Sequence, residues 1–147
     1  MTPTPLVTVV LATYNQQDFV KNALESILAQ TYQNLEIIVC DNGSTDKTKE
    51  IIRSIVSKFQ KIVFLDFKNN KNITIRHNHY INLANGEFVS ILFGDDYYLP
   101  NKIEKQVEAF SNLDESWGVV YGPTLIEHKA NNKLAQDDGL QKSGYVL

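Results

Sequence analysis

The sequence contains a single cysteine, Cys40, among its 147 residues. One cysteine cannot form an intramolecular disulfide, which excludes a fold whose stability depends on disulfide bonds. Cys40 ends an apolar run that begins at residue 35. We therefore expect it to be a small buried core residue.

The chain also lacks an excess of positive charge, since 14 lysines and arginines face 17 acidic residues and the net charge is -3. This balance argues against nucleic acid as a partner. No stretch approaches the roughly 18 apolar residues of a membrane helix, and the N-terminus lacks the basic region and apolar core of a secretory signal. We expect a cytoplasmic protein with no transmembrane segment; peripheral attachment to the inner face of the membrane through another part stays open.

What the chain does contain is a regular alternation of short apolar runs and amphipathic segments. Short valine- and isoleucine-rich runs indicate strands buried on both faces, and apolar residues with a period near 3.6 indicate helices. The predicted elements are a strand at 6–12, a helix from Phe19 capped by Asp18, a strand at 35–40, a helix after Asp46, a strand at 62–67, a helix at 74–83, a strand at 88–93, a helix after Pro100, a strand at 119–121, and a hairpin that starts near Thr124 and turns at Asn131 and Asn132. This alternation predicts an α/β fold, a mostly parallel sheet with helices on both faces.

Polar side chains collect after three of the predicted strands. They are Thr13, Tyr14 and Asn15 after the first strand, Asp41 and Asn42 after the second, and Asp95 and Asp96 after the fourth. Parallel strands end at one edge of a sheet, where such folds bind ligands. A tyrosine ring can stack on a base, and amide or carboxylate oxygens can accept from base N–H groups and ribose hydroxyls. Two adjacent carboxylates favour a hard divalent cation, so the pattern predicts a site for a nucleotide diphosphate and a metal ion.

Four motifs carry a resemblance to a known family. They are TYN at residues 13–15, EIIVCDNGSTD at 36–46, ANGEF at 84–88, and LFGDD at 92–96 followed by Pro100. In this order and spacing, from about residue 6 to residue 121, the chain resembles family 2 glycosyltransferases of the GT-A fold. The resemblance implies a Rossmann-like nucleotide-diphospho-sugar transferase fold. It also implies transfer of a sugar from a UDP- or dTDP-sugar to an acceptor, with inversion, in polysaccharide biosynthesis.

The resemblance implies roles for the first two polar sets. Thr13, Tyr14 and Asn15 would bind the nucleotide, with Tyr14 as the ring that stacks on the base. Asp41 and Asn42 match an acidic pair whose second member accepts from the pyrimidine N3–H group. Asn42 departs from that pair, but its amide oxygen can still accept this hydrogen bond without a charge.

The resemblance also implies a metal-binding motif at the end of the fourth strand. Asp95 would approach the ribose, and Asp96 would bind the divalent cation, Mn²⁺ or Mg²⁺. Phe93 stands where the family often has a further aspartate, which we interpret as a variant of the motif. His77 stands where many relatives have an arginine near the diphosphate. A histidine is charged for only part of the time near neutral pH, so a surface position on the helix is the alternative for His77.

Residues 1–123 would then form the nucleotide-sugar-binding core, and residues 124–147 the start of a hairpin or an acceptor-side segment. In the family the general base lies in the acceptor-binding half, so the resemblance places it beyond Leu147, and we assign no catalytic base. We expect this chain to be the donor-binding part of a longer enzyme. The sugar, the acceptor and the oligomeric state stay open.

Two other functions are compatible with an α/β chain of this length. One is a non-catalytic nucleotide-sugar-binding or scaffold domain of the same fold. This class would explain why the chain departs from the family's pattern at Phe93, Asn42 and His77. A phospho-receiver domain would need an acidic pair after the first strand and an aspartate after the third. Here the first strand leads into TYN and the third into Lys68 and Asn69, which argues against that class.

Overall fold

The structure is a computed structural model that describes residues 4–70, 72–114, 116–122, 124–128 and 133–137. Its elements, in chain order, are β1 (Val7–Thr13), α1 (Val20–Leu28), β2 (Leu35–Asp41), α2 (Thr48–Val56), β3 (Ile62–Asp66), α3 (Ile73–Leu83), β4 (Phe88–Phe93), α4 (Lys102–Ser111), β5 (Thr124–His128) and β6 (Lys133–Asp137). None of the helices in these ranges has the length and hydrophobicity of a membrane span.

Contacts between Cα atoms divide the chain into two compact units, Met1–Glu104 and Lys105–Leu147. The first unit holds a parallel sheet with the strand order β3-β2-β1-β4. The second holds the antiparallel pair of β5 and β6. This pair matches the predicted hairpin, although its turn at Asn131 and Asn132 lies outside the described residues. The predicted division of the chain between residues 123 and 124 stays a prediction.

The strand order places helices on both faces of the sheet. The chain steps from β1 to β2 to β3 in one direction and then crosses back past β1 to β4. Right-handed crossovers therefore put α1 and α2 on one face and α3 on the other. On the α3 face, Tyr80 packs in a buried cluster with Val10, Ile38 and Cys40. The predicted parallel sheet between two helical layers is confirmed, and Cys40 is a fully buried core residue, as expected.

Two of the local predictions are wrong. Asp18 does not cap α1: Phe19 occupies the N-cap position, and no side chain caps the helix. The backbone carbonyl of Gln16 instead accepts hydrogen bonds from the amides of Phe19 and Val20. Residues 119–121 form no strand. The run is short, and the carbonyl of Val120 accepts a hydrogen bond from the side chain of Gln106 instead of pairing with a strand.

The ANGEF motif fastens the start of β4 to the starts of β1 and β2. Glu36 accepts hydrogen bonds from the Thr8 hydroxyl and from the backbone and side-chain nitrogens of Asn85. The Gly86 amide donates to the Thr8 hydroxyl at 2.9 Å. A Cβ atom at Gly86 would lie 2.5 Å from the backbone nitrogen of Thr8. The glycine of this motif is therefore required by a close approach of two backbones.

We predict that Gly86→Ala lowers the free energy of unfolding by about 2 kcal/mol or more, because backbone atoms of β1 cannot move aside cheaply. Gly118→Ala is the matched control, since a Cβ atom there would meet no atom within 4 Å. Denaturant unfolding of the two variants measures the difference. Equal midpoints would contradict the proposed close packing at Gly86.

Candidate active site at the carboxyl edge of the sheet

The strand register brings the three polar sets to one edge of the sheet. Thr13, the last residue of β1, pairs with Asp41, the last residue of β2, and Ala12 pairs with Phe93, the last residue of β4. The Gly94 amide continues the ladder by donating to the Ala12 carbonyl at 3.0 Å. The loops that carry Tyr14, Asn42 and Asp95 therefore leave the sheet from neighbouring positions.

Asp41 organises the turn that follows β2. Its side chain is fully buried. Its Oδ1 accepts from the amides of Gly43 at 3.0 Å and Ser44 at 2.8 Å, and its Oδ2 accepts from the Ser44 hydroxyl and, at 3.3 Å, from the Thr13 hydroxyl. Lys49 Nζ lies 3.6 Å from Oδ1 and balances the buried charge. The buried carboxylate of Asp41 thus fixes the conformation of the turn through hydrogen bonds, and Thr13 is buried beside it.

Gly43 adopts the left-handed conformation that favours glycine, with φ +85°. A Cβ atom there would lie 2.6 Å from the carbonyl carbon of Asn69. The turn after β2 therefore sits directly against the loop after β3. Only glycine satisfies both the backbone angle and this contact.

The loop after β1 is tied to the loop after β2 by short polar contacts. Asn15 has φ +51°. Its amide donates to Ser44 Oγ at 2.8 Å, and its Oδ1 accepts from the Thr45 amide at 2.8 Å. Asp46 accepts from the amides of Gln17 and Thr48, although Lys47 and not Asp46 occupies the N-cap position of α2. Tyr14 precedes Asn15 in the loop after β1. It has 42% of its surface exposed and is therefore accessible to a ligand.

Asn42 is held by an arginine that the sequence argument missed. Arg76 Nε donates to Asn42 Oδ1 at 2.7 Å, and Asn42 Nδ2 donates to Asn70 Oδ1 at 2.6 Å. Arg76 is 8% exposed, and its guanidinium lies 3.6 Å above the ring centroid of Phe67. The chain has only two arginines, and Arg76 lies in the polar part of α3. An arginine at such a position was the feature of the sequence that could have indicated a role in the site.

His77, the neighbour of Arg76, points to a different part of the edge. Its ring centroid lies 5.7 Å from that of Phe93 and 6.1 Å from that of Tyr80. Its Nε2 atom is buried and has no hydrogen-bond partner among the described residues. His77 therefore reaches the end of β4, next to the aspartates, and does not reach Asn42 through any contact that the structure describes.

Asp95 and Asp96 are exposed in the turn after β4. Although Asp96 is exposed as a residue, partial desolvation of its carboxyl group, together with the charge of Asp95, raises its pKa. A bound cation would favour the charged form of both carboxylates. In the part of the chain that the structure describes, no group of three or more histidine, cysteine or acidic residues could hold a metal ion. The pair fits a hard ion only if other oxygens, such as those of a diphosphate and water, complete its coordination.

Comparison with known proteins gives consistent results. A model of the family described as Glycosyl transferase family 2 matches residues 8–135. An uncharacterized glycosyltransferase of Rickettsia typhi is 39% identical over 132 residues, which cover 89% of this chain. The mannosyltransferase PcManGT from Pyrobaculum calidifontis, solved with GDP-Man and Mn²⁺, is similar over 66% of this chain with 28% identity and a TM-score of 0.61. S. aureus TarS 1-349, solved with UDP-GlcNAc, is similar over 73% with 25% identity and a TM-score of 0.61.

These similarities confirm the GT-A fold implied by the sequence motifs. They also show how much of each relative the chain represents. It spans 40% of the Rickettsia typhi protein, 29% of PcManGT and 31% of the TarS chain.

Proposed function

The chain belongs to glycosyl transferase family 2, and on that premise we propose that it is the donor-binding part of an enzyme that transfers a sugar from a UDP- or dTDP-sugar to an acceptor. One observation carries the proposal: three loops that bear an exposed aromatic ring, an amide and two carboxylates leave one edge of the sheet from paired strand ends. An edge of this kind is where parallel α/β sheets bind nucleotides.

We propose that the base is recognised by the loops after β1 and β2. Tyr14 stacks on the ring, and the amide oxygen of Asn42 accepts from the pyrimidine N3–H group. Thr13, Asn15 and Asp41 act indirectly, because their polar atoms hold the two loops together. They fix the geometry of the pocket.

The turn after β4 would carry the ribose and diphosphate. Asp95 accepts from the ribose, and Asp96 holds Mn²⁺ or Mg²⁺. The cation would neutralise charge that develops on the leaving diphosphate. We propose that His77 donates to a phosphate oxygen; because its Nε2 is buried and has no partner among the described residues, its ring would have to turn outward on donor binding. Inversion of configuration requires a general base on the acceptor hydroxyl. We propose that this base belongs to the protein outside residues 1–147.

Calorimetric titration of the 147-residue chain with UDP and dTDP, with Mn²⁺ and then with EDTA, tests the proposal. We expect binding in Mn²⁺ and a loss of affinity of about tenfold or more in EDTA, because a cation held by Asp96 would offset the charge of the diphosphate. Failure of both nucleotides to bind would overturn the proposal.

A second candidate function is a nucleotide-sugar-binding scaffold of the same fold. Phe93 favours it, because this residue replaces an aspartate that family members often carry and is partly exposed beside Asp95. The same titration separates the two functions. A scaffold that has lost its metal chemistry would bind UDP equally well in Mn²⁺ and in EDTA.

A further inference from the structure

The guanidinium of Arg76 is buried next to neutral acceptors. Arg76 forms no ion pair with the described residues, and its guanidinium donates to Asn42 Oδ1 and to the Asn69 carbonyl at 3.0 Å. Its charge is partly compensated by the face of Phe67. Burying a guanidinium without an acidic partner costs free energy, so we expect Arg76 to have a specific positioning role.

The contacts of Arg76 determine which way the Asn42 amide points. An amide has an acceptor end and a donor end of almost identical shape, and neighbouring groups decide between the two orientations. Here Arg76 can only donate, so it requires the oxygen of Asn42 at 2.7 Å. Asn42 Nδ2 then donates to Asn70 Oδ1 at 2.6 Å. Asn70 is itself an amide that can present either end, so Arg76 is the neighbour that selects the orientation of Asn42.

We propose that Arg76 is a positioning residue for base selection: by holding Asn42 Oδ1 in place, it makes this amide an acceptor for the N3–H group of uracil or thymine. An amide oxygen can accept two hydrogen bonds, and Arg76 supplies one of them. Cytosine carries an unprotonated N3 acceptor at the corresponding position, so it would need the donor end of the amide. The inference rests on the proposed function and adds to it the residue that enforces the choice of a base with an N–H group at N3.

The test is the ratio of the dissociation constants of CDP and UDP, measured with Mn²⁺ on the wild-type chain and on Arg76→Met. We expect the wild type to prefer UDP by about tenfold or more, which corresponds to one well-made hydrogen bond. In Arg76→Met the donor that requires the oxygen of Asn42 is gone, so the preference should fall to about threefold or less as UDP binds more weakly and CDP more strongly. If Arg76 has a purely structural role, its replacement would weaken the binding of both nucleotides alike and leave the ratio of their dissociation constants unchanged.

Two further variants make the test independent of the folding of Arg76→Met. Asn70→Ala removes the partner of the amide nitrogen and leaves the hydrogen bond from Arg76 to Asn42 Oδ1 intact, so the UDP preference should be retained. Adding Asn42→Asp to Arg76→Met should restore the preference, because both oxygens of a carboxylate accept.

The outcomes separate the inference from the proposed function. A UDP preference that is unchanged in Arg76→Met, or one that is lost in Asn70→Ala, would overturn the inference alone. Absence of any nucleotide binding by the wild-type chain would overturn the proposed function, and the inference with it.

Discussion

Replacing Asp41 by alanine is expected to lower the free energy of unfolding by about 3 kcal/mol or more, and with it the melting temperature by roughly 10 °C. The carboxylate is fully buried and accepts from two backbone amides and two hydroxyls. Alanine would leave these donors without a partner in the interior. Lys49 would keep its ion pair with Asp66 at 2.9 Å, so the loss arises in the turn itself.

Asp18→Ala is the matched control for this experiment. Asp18 is exposed in the neighbouring loop and caps no helix, so its removal should change stability by less than about 0.5 kcal/mol. Thermal unfolding and UDP titration should be measured on both variants. If Asp41→Ala melted within two degrees or so of Asp18→Ala, the carboxylate could not be the organiser of the turn.

Replacing Asp96 by asparagine is expected to remove the metal dependence of UDP binding. In the wild type, affinity in Mn²⁺ should exceed affinity in EDTA by about tenfold or more; in Asp96→Asn the two values should agree within about twofold. The reason is that an amide oxygen lacks the charge that draws a hard cation to this turn. Tyr14→Phe keeps the stacking ring and should retain the metal dependence, which makes it a suitable control.

The same site predicts how metal-dependent binding responds to pH. Partial desolvation of its carboxyl group and the charge of Asp95 raise the pKa of Asp96. A proton and a cation compete for this carboxylate, so UDP affinity in Mn²⁺ should fall as the pH drops through that raised pKa and recover above it. Without the metal, the wild type should lose this pH dependence. A pH profile that is identical in Mn²⁺ and EDTA would exclude Asp96 as the metal ligand.

Much of the fold could be predicted because its core strands are nearly pure apolar runs. The predicted strand at 88–93 coincides with β4, and the helix predicted from Phe19 fully buries Val20, Ala23, Leu24 and Ile27, which recur with the helical period. The errors lie where local and tertiary preferences compete. Asp18 has the chemistry of an N-cap, but the backbone carbonyl of Gln16 takes its place.

The site was predictable in outline and not in its hydrogen bonding. Motif order indicated which loops would meet, because parallel strands fix the edge to which each loop belongs. The sequence could not show that Asp41 faces inward and Tyr14 outward, since both follow strands and both have binding chemistry. Nor could it show that Arg76, one residue from His77, contacts Asn42, because neighbouring helix residues point about 100° apart.

The ties between Asn15, Ser44 and Thr45 have a thermodynamic consequence for ligand capture. Loops that are already cross-linked by backbone-to-side-chain hydrogen bonds lose little conformational entropy when a nucleotide arrives. The pocket is therefore preorganised on its base side, and slow hydrogen exchange at the Asn15 and Thr45 amides would be its signature before any ligand is added. Any ordering that accompanies donor capture would then fall on the diphosphate side, where both aspartates are solvent-exposed.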